Sequence, residues 1–184
     1  VKHVINCKPG LTLLLALVAM TSTQGAEFSI NQETSGDIAI HIDGQLFTRY
    51  VTTDTVTNKC YFWPVIGPGG VKMTRAYPMQ DIKGEKQDHP HHRSVCFGLQ
   101  NAGGFNTWHE ALTFTKNGKV DPSKMSTSGR QVHTKVIKAK TSGMSATLVV
   151  ECSNVNPRGE IYMRQTRKVN FHVSDNGSRV MDIE

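Results

Sequence analysis

The sequence predicts an all-β protein built as an antiparallel β-sandwich, and three observations predict it. Residues 161–173 alternate: Ile161, Met163, Val169, Phe171 and Val173 share one parity, and Tyr162, Arg164, Thr166, Lys168, Asn170 and His172 share the other. One apolar side at a period of two is the signature of a half-buried antiparallel strand. Short apolar runs recur along the chain, punctuated by Asp43-Gly44, Gly67-Pro68-Gly69-Gly70 and Asp175-Asn176-Gly177, residues whose backbone freedom suits tight turns. No apolar stripe at helical spacing exceeds about two turns, so helix content is expected to be low.

The first segment is not part of the sandwich. Lys2 and Lys8 precede an apolar run from Leu11 to Met20, and small or polar residues Thr21 to Ala26 follow. This is the order of a secretory signal, expected over residues 1–26, with a single sandwich domain over 27–184. The apolar run is about half the ~20 residues of a membrane-spanning helix, and no later stretch is apolar enough to span. The expected location is therefore secreted or periplasmic, with no integral membrane segment after cleavage. Removing residues 1–26 takes away two lysines and no acid, so the formal charge falls from +6 to +4. Lys135, Lys138, Lys140, Arg164, Arg167 and Lys168 are spread over strand-like segments. They read as a solvated face, and without a dense patch interleaved with aromatics no nucleic-acid partner is expected.

The strands follow in order. Ile38, Ile40 and Ile42 alternate with Ala39 and His41, and Gln45 to Val51 returns after Asp43-Gly44 as a tight hairpin. Tyr61 to Ile66 ends at the glycine-proline cluster. Thr74 to His92 is polar, holds Pro78, Gly84 and Pro90, and reads as a long loop of the kind that carries function. Ser94–Leu99 and Leu112–Thr115 are strand candidates on either side of Gly103-Gly104, and residues 117–130 are loop-like. Val132–Ala139, Ala146–Cys152, Ile161–Val173 and Arg179–Ile183 complete the set. Glu184 falls inside an apparent strand, so further strands are expected to extend the sandwich into a larger supersandwich. Cys60, Cys96 and Cys152 lack CxxC spacing, which argues against a zinc knuckle. Export permits one disulfide among them, with the pairing open.

Chemistry concentrates between Tyr77 and Glu110, which hold four of the eight histidines. The dense part is Asp88-His89-Pro90-His91-His92-Arg93, followed by Trp108-His109-Glu110. On an extended backbone His89 and His91 point to one side and His92 to the other, and Pro90 biases His89 toward that conformation. Two chemistries fit. Without a metal, His89, His91, His92 and His109 can transfer protons near neutral pH, with Glu110 orienting them and Arg93 holding a polarised oxygen. With a metal, His89, His91 and His109 form the ligand set. A third reading makes the segment a hydrogen-bonded loop knot, in which Asp88 caps an amide and Arg93 pairs with Asp81 or Glu85. Tyr61, Phe62, Trp63 and Trp108, beside polar loops, suit either a stacking platform for a sugar ring or core and rim packing, and packing is the commoner role of such residues. His41, His133 and His172 are isolated strand histidines. No phosphate loop and no Gly-x-Ser-x-Gly elbow occurs.

The ordered motifs Tyr61–Gly70, Thr74–Met79, Asp88–Ser94 and Phe105–Glu110 resemble an uncharacterised bacterial family that carries the label methane oxygenase PmoA. The resemblance covers most of residues 37–184. Arg75, in the second motif, joins Asp88, Arg93 and Trp108 as a binding candidate. The family is similar in fold to galactose-mutarotase-like sandwiches, which bind sugars in a cleft and use histidines and a carboxylate for proton transfer. The resemblance therefore implies a carbohydrate-active protein taking a small-molecule or oligosaccharide substrate. The alternatives are a metal-dependent oxidoreductase, as the label implies, and a non-catalytic sugar-binding module. Cofactor and oligomeric state stay open.

Overall fold

The computed structural model describes residues 25–52 and 56–184. The signal expected over residues 1–26 lies, up to residue 24, outside the described residues. Five strands form the first sheet in chain order: β1 (Phe28–Gln32), β2 (Ile38–Ile42), β3 (Gln45–Val51), β4 (Tyr61–Val65) and β5 (Val95–Cys96). A small ribbon of β6 (Thr115–Lys116) and β7 (Lys119–Val120) and one helical turn, α1 (Pro122–Met125), follow. The second sheet is a four-stranded meander of β8 (Arg130–Ser142), β9 (Ser145–Val155), β10 (Ile161–Val173) and β11 (Arg179–Ile183), all paired antiparallel.

The two sheets share one core, which makes the protein an all-β sandwich. Ile38, Ile40, Phe47, Tyr50 and Phe62 come from the first sheet, and Leu148, Val150, Cys152, Val169 and Phe171 from the second. Phe171 meets Phe47 and Phe62 edge-on at 6.0 and 6.1 Å between ring centroids, the geometry that the ring quadrupoles favour. Asp43 (φ 52°) and Gly44 (φ 74°) both take the left-handed conformation of a two-residue hairpin turn, as their sequence predicts. Among the described residues Cys60, Cys96 and Cys152 are free thiols. Cys60, just before β4, and Cys152, on β9, are buried, and Cys152 Sγ lies 3.2 Å from the Tyr50 hydroxyl. Among the described residues no helix is long and apolar enough to cross a membrane.

Three local expectations change. Leu112–Phe114 is not a strand, and only Thr115 of that candidate is, in β6: Ala111–Phe114 is a 3₁₀ turn, because Glu110 and Thr113 bond reciprocally as a capping box. Arg167 does not belong to a solvated face. It shares its parity with Val169 and Phe171 and is 9% exposed, donating to Gln131 Oε1 and Gln165 Oε1 at 2.8 Å with its guanidinium over Phe97. A buried guanidinium is tolerated where such acceptors replace water. Phe28–Gln32 is an additional strand, held by register with β2 rather than by a pattern of its own.

Candidate active site

The chain leaves the first sheet after β4 and returns as β5 against the same strand, with Tyr61 opposite Cys96 and Phe62 opposite Val95. The long polar loop between them is thus anchored at both ends to one sheet edge. Inside it, the Glu85 carboxylate accepts the amides of Ala76 and Tyr77 at 2.9 and 2.7 Å, which holds its carboxyl below the usual range. Arg75 donates to Asp88 Oδ1 (2.8 Å) and to the carbonyls of Asp88 (2.7 Å) and His89 (2.6 Å). Arg75 and Asp88 therefore clamp the loop on each other.

That clamp reshapes the histidine segment. The extended backbone expected at His89 is absent. His89 has φ 47°, and its carbonyl accepts the amide of His92 at 2.9 Å, closing a turn. Pro90 supplies the fixed φ that suits the first corner of such a turn, and Arg75 holds the two carbonyls ahead of it. A left-handed non-glycine residue costs on the order of 1–3 kcal/mol and persists only where neighbours over-determine it. The turn gathers all three rings. His89 stacks on His92 with centroids 5.0 Å apart, and His91 meets His92 at 4.5 Å.

The partner segment is fixed by Asn106. Its Oδ1 accepts the amides of Trp108 (2.9 Å) and His109 (3.0 Å), so its Nδ2 must donate to His109 Nδ1 at 3.0 Å. His109 Nδ1 is thus unprotonated, and in the neutral ring the proton sits on Nε2. Trp108 packs 5.6 Å from His91 and 5.4 Å from His92, and His109 packs 4.7 Å from His91.

Beneath the rings lies a buried ion network. Glu110 is fully buried and accepts from Arg93 Nε with both oxygens at 2.9 Å, from Lys59 Nζ at 2.9 Å and from Thr57 Oγ1 at 3.0 Å. Lys59 Nζ also donates to the carbonyls of Trp108 (2.6 Å) and His91 (3.1 Å). One ammonium therefore ties both halves of the histidine cluster to one carboxylate. The Arg93 guanidinium lies 5.6 Å from the Tyr61 ring centroid.

Residues 37–184 match the model of a family described as of unknown function, DUF6807. The chain belongs to that family. No curated protein and no solved structure matches it. In this DUF6807 chain the structure brings together five of the sequence-predicted site residues: His89, His91, His92, Trp108 and His109. Glu110 and Arg93 pair with each other below them, and Arg75 and Asp88 pair at the loop rim. Asp81 accepts from Gln87, and Glu85 is taken by amides, so neither is the partner of Arg93 that a loop knot requires. Among the described residues no group of three or more His, Cys, Asp or Glu side chains is placed to hold a metal ion.

Lys59, Asn106, Thr57 and Thr113 enter the site without having been singled out from sequence. Lys59 had a signal: it heads the apolar run Cys60-Tyr61-Phe62, where a charged residue is costly unless paired. Asn106 also had one, standing two and three residues before the amides it caps.

Burial is the first cause that lowers the basicity of the rings. It pushes His91 down to about 4, helped by the positive potentials of His92, His109, Lys59 and His89. His92 and His109 are lowered in the same way, with His89 and Lys59 as the respective leading charges. Burial also lowers Lys59, opposed by Glu110. Three imidazoles are therefore neutral at pH 7.

This arrangement links stability to pH. The folded protein keeps His91 neutral down to about pH 4, whereas the unfolded chain takes up that proton below roughly 6.5. The unfolded state binds more protons between those values, so the contribution of His91 is fully present above the upper value and is lost as pH falls toward the lower. Melting temperatures at pH 7 and pH 5 check this. The wild-type drop is expected to exceed that of His91→Gln; equal drops would assign the loss to other groups.

Proposed function

We propose that this protein is an exported carbohydrate-active protein in which a neutral imidazole moves a proton at a sugar oxygen. The observation that carries the reading is the packing of depressed imidazoles against one tryptophan on a rigid buried support. A general base is most effective when it is unprotonated at working pH and held in place by its surroundings. His92 suits that role: it is exposed, and its ring nitrogens make no hydrogen bond among the described residues. It takes the proton of a sugar hydroxyl, while His109 Nε2–H donates to an oxygen on which negative charge develops. Trp108 offers an aromatic surface to the apolar C–H side of a pyranose. The network of Lys59, Arg93 and Glu110 is the scaffold for these groups and takes no proton from substrate. By analogy alone, the mutarotase-like sandwich that the sequence resembles supports sugar chemistry on such a frame.

A panel of reducing and non-reducing oligosaccharides tests this, with anomeric exchange followed by NMR and products by mass spectrometry. Conversion of at least one sugar is the expected result. Binding without conversion would make the protein a sugar-binding module, and silence across the panel would end the carbohydrate reading.

A further inference from the structure

A concave surface meets the ion network at Arg93. It is a cleft of about 510 Å³, lined among others by Glu33, Asp37, Arg49, Tyr61, Trp63 and Arg93. That volume falls within the ~300–1,000 Å³ of small-molecule sites. We propose that this cleft is a carbohydrate subsite that binds a neutral sugar ring through Trp63, Arg49 and Asp37. The proposal rests on the reading of the protein as carbohydrate-active.

The side chains match such a ligand by their unused capacity. Arg49 donates Nε and Nη2 to Glu33 at 2.6 and 2.9 Å, a planar bidentate pair that is about one-third exposed. Its Nη1 has no partner among the described residues. Asp37 accepts the amide and hydroxyl of Thr52 with Oδ1 at 2.8 and 3.2 Å, which leaves Oδ2 unoccupied among those residues. The Trp63 indole N–H is likewise unpaired among them. The cleft thus presents donors, an acceptor and an indole to one volume. A sugar hydroxyl both donates and accepts, and its ring offers C–H groups to an indole, so all are used at once.

Charge points away from anions. Glu33 pairs with Arg49, Arg93 serves Glu110, and Asp37 adds a further acid to the lining. A phosphate or carboxylate ligand would meet two acids, whereas a neutral polyol meets hydrogen-bonding groups of both kinds. The rigidity is shared with the first site, because Arg93 joins the cleft to Glu110, and Lys59 joins Glu110 to the carbonyls of His91 and Trp108.

The chain has two tryptophans, one in each site, which makes the sites separable. Cellobiose and maltose are titrated into the intact ¹⁵N-labelled protein while the two indole N–H signals are followed; Trp108→Phe removes one signal and so assigns both. The expected result is a saturable shift of the Trp63 indole, with affinity at least tenfold weaker in Arg49→Gln. A shift confined to Trp108 overturns the cleft proposal and leaves the proposed function standing. Binding unchanged in Arg49→Gln, with the variant's melting temperature near wild type, overturns it as well. No shift of either indole, together with silence across the oligosaccharide panel, removes both.

Discussion

Glu110→Gln is expected to destabilise the fold by about 3–5 kcal/mol, the cost of stranding a buried charge whose partner has been removed. Lys59 and Glu110 side chains are both 0% exposed, and that of Arg93 is 3% exposed. Glutamine keeps a carbonyl that can accept from Thr57 or from one cation, but it supplies no charge to two buried cations. The loss is a large part of the 5–15 kcal/mol that holds a typical domain together. Urea denaturation followed by tryptophan fluorescence measures it. Lys59→Met in the Glu110→Gln background is expected to cost less than Lys59→Met alone, because Lys59 has then already lost its carboxylate; the coupling should reach about 1–3 kcal/mol. Glu33→Gln, which breaks the partly exposed pair with Arg49, provides the contrast and should fall within about 1 kcal/mol. A Glu110→Gln cost as small as that of Glu33→Gln would mean that water reaches the network and that it does not support the histidines.

The fold was legible where a local pattern and the tertiary environment agree. The period of two in Ile161–Val173 marks a strand packed on one side, and Asp43-Gly44 encodes a turn of two left-handed residues. It was not legible where the environment overrides the pattern. Arg167 has the chemistry of a surface residue, yet its parity with Val169 and Phe171 carries it inward, and acceptors 2 and 36 residues away make that tolerable. Leu112–Thr115 has strand composition, but reciprocal bonding between Glu110 and Thr113 is enough to curl all of it except Thr115.

The site divides along the same line. His89, His91 and His92 are neighbours in sequence, so their clustering in space follows from chain connectivity. Their turn does not follow, because it depends on Arg75, which stands 13 residues before Asp88. Glu110 shows the limit most clearly. Beside His109 it reads as a catalytic or orienting carboxylate, and only the approach of Lys59 across 51 residues and of Arg93 across 17 shows that its oxygens accept from two buried cations. Ion pairing at such separations leaves no periodicity to read.

His92→Ala is expected to lower kcat by about 10²–10⁴-fold on a sugar that the protein converts, the usual contribution of a positioned general base. It should leave stability within about 0.5 kcal/mol, since the ring is exposed and makes no hydrogen bond among the described residues. Activity and folding therefore separate at this position, whereas at Glu110 they fall together. The pH profile is the second readout. Burial, followed by the charges of His89 and Arg75, lowers the basicity of His92, so its base form persists below the ordinary histidine range. Turnover should rise with pH along a limb whose midpoint lies below roughly 6.5, the unperturbed value. In His92→Ala that acidic limb should disappear, and added imidazole should restore part of the rate. Full turnover in His92→Ala would remove His92 as the base. His109 does not then take its place without rearrangement, because Asn106 fixes its Nδ1 as acceptor and leaves Nε2 protonated, a donor where a base is needed.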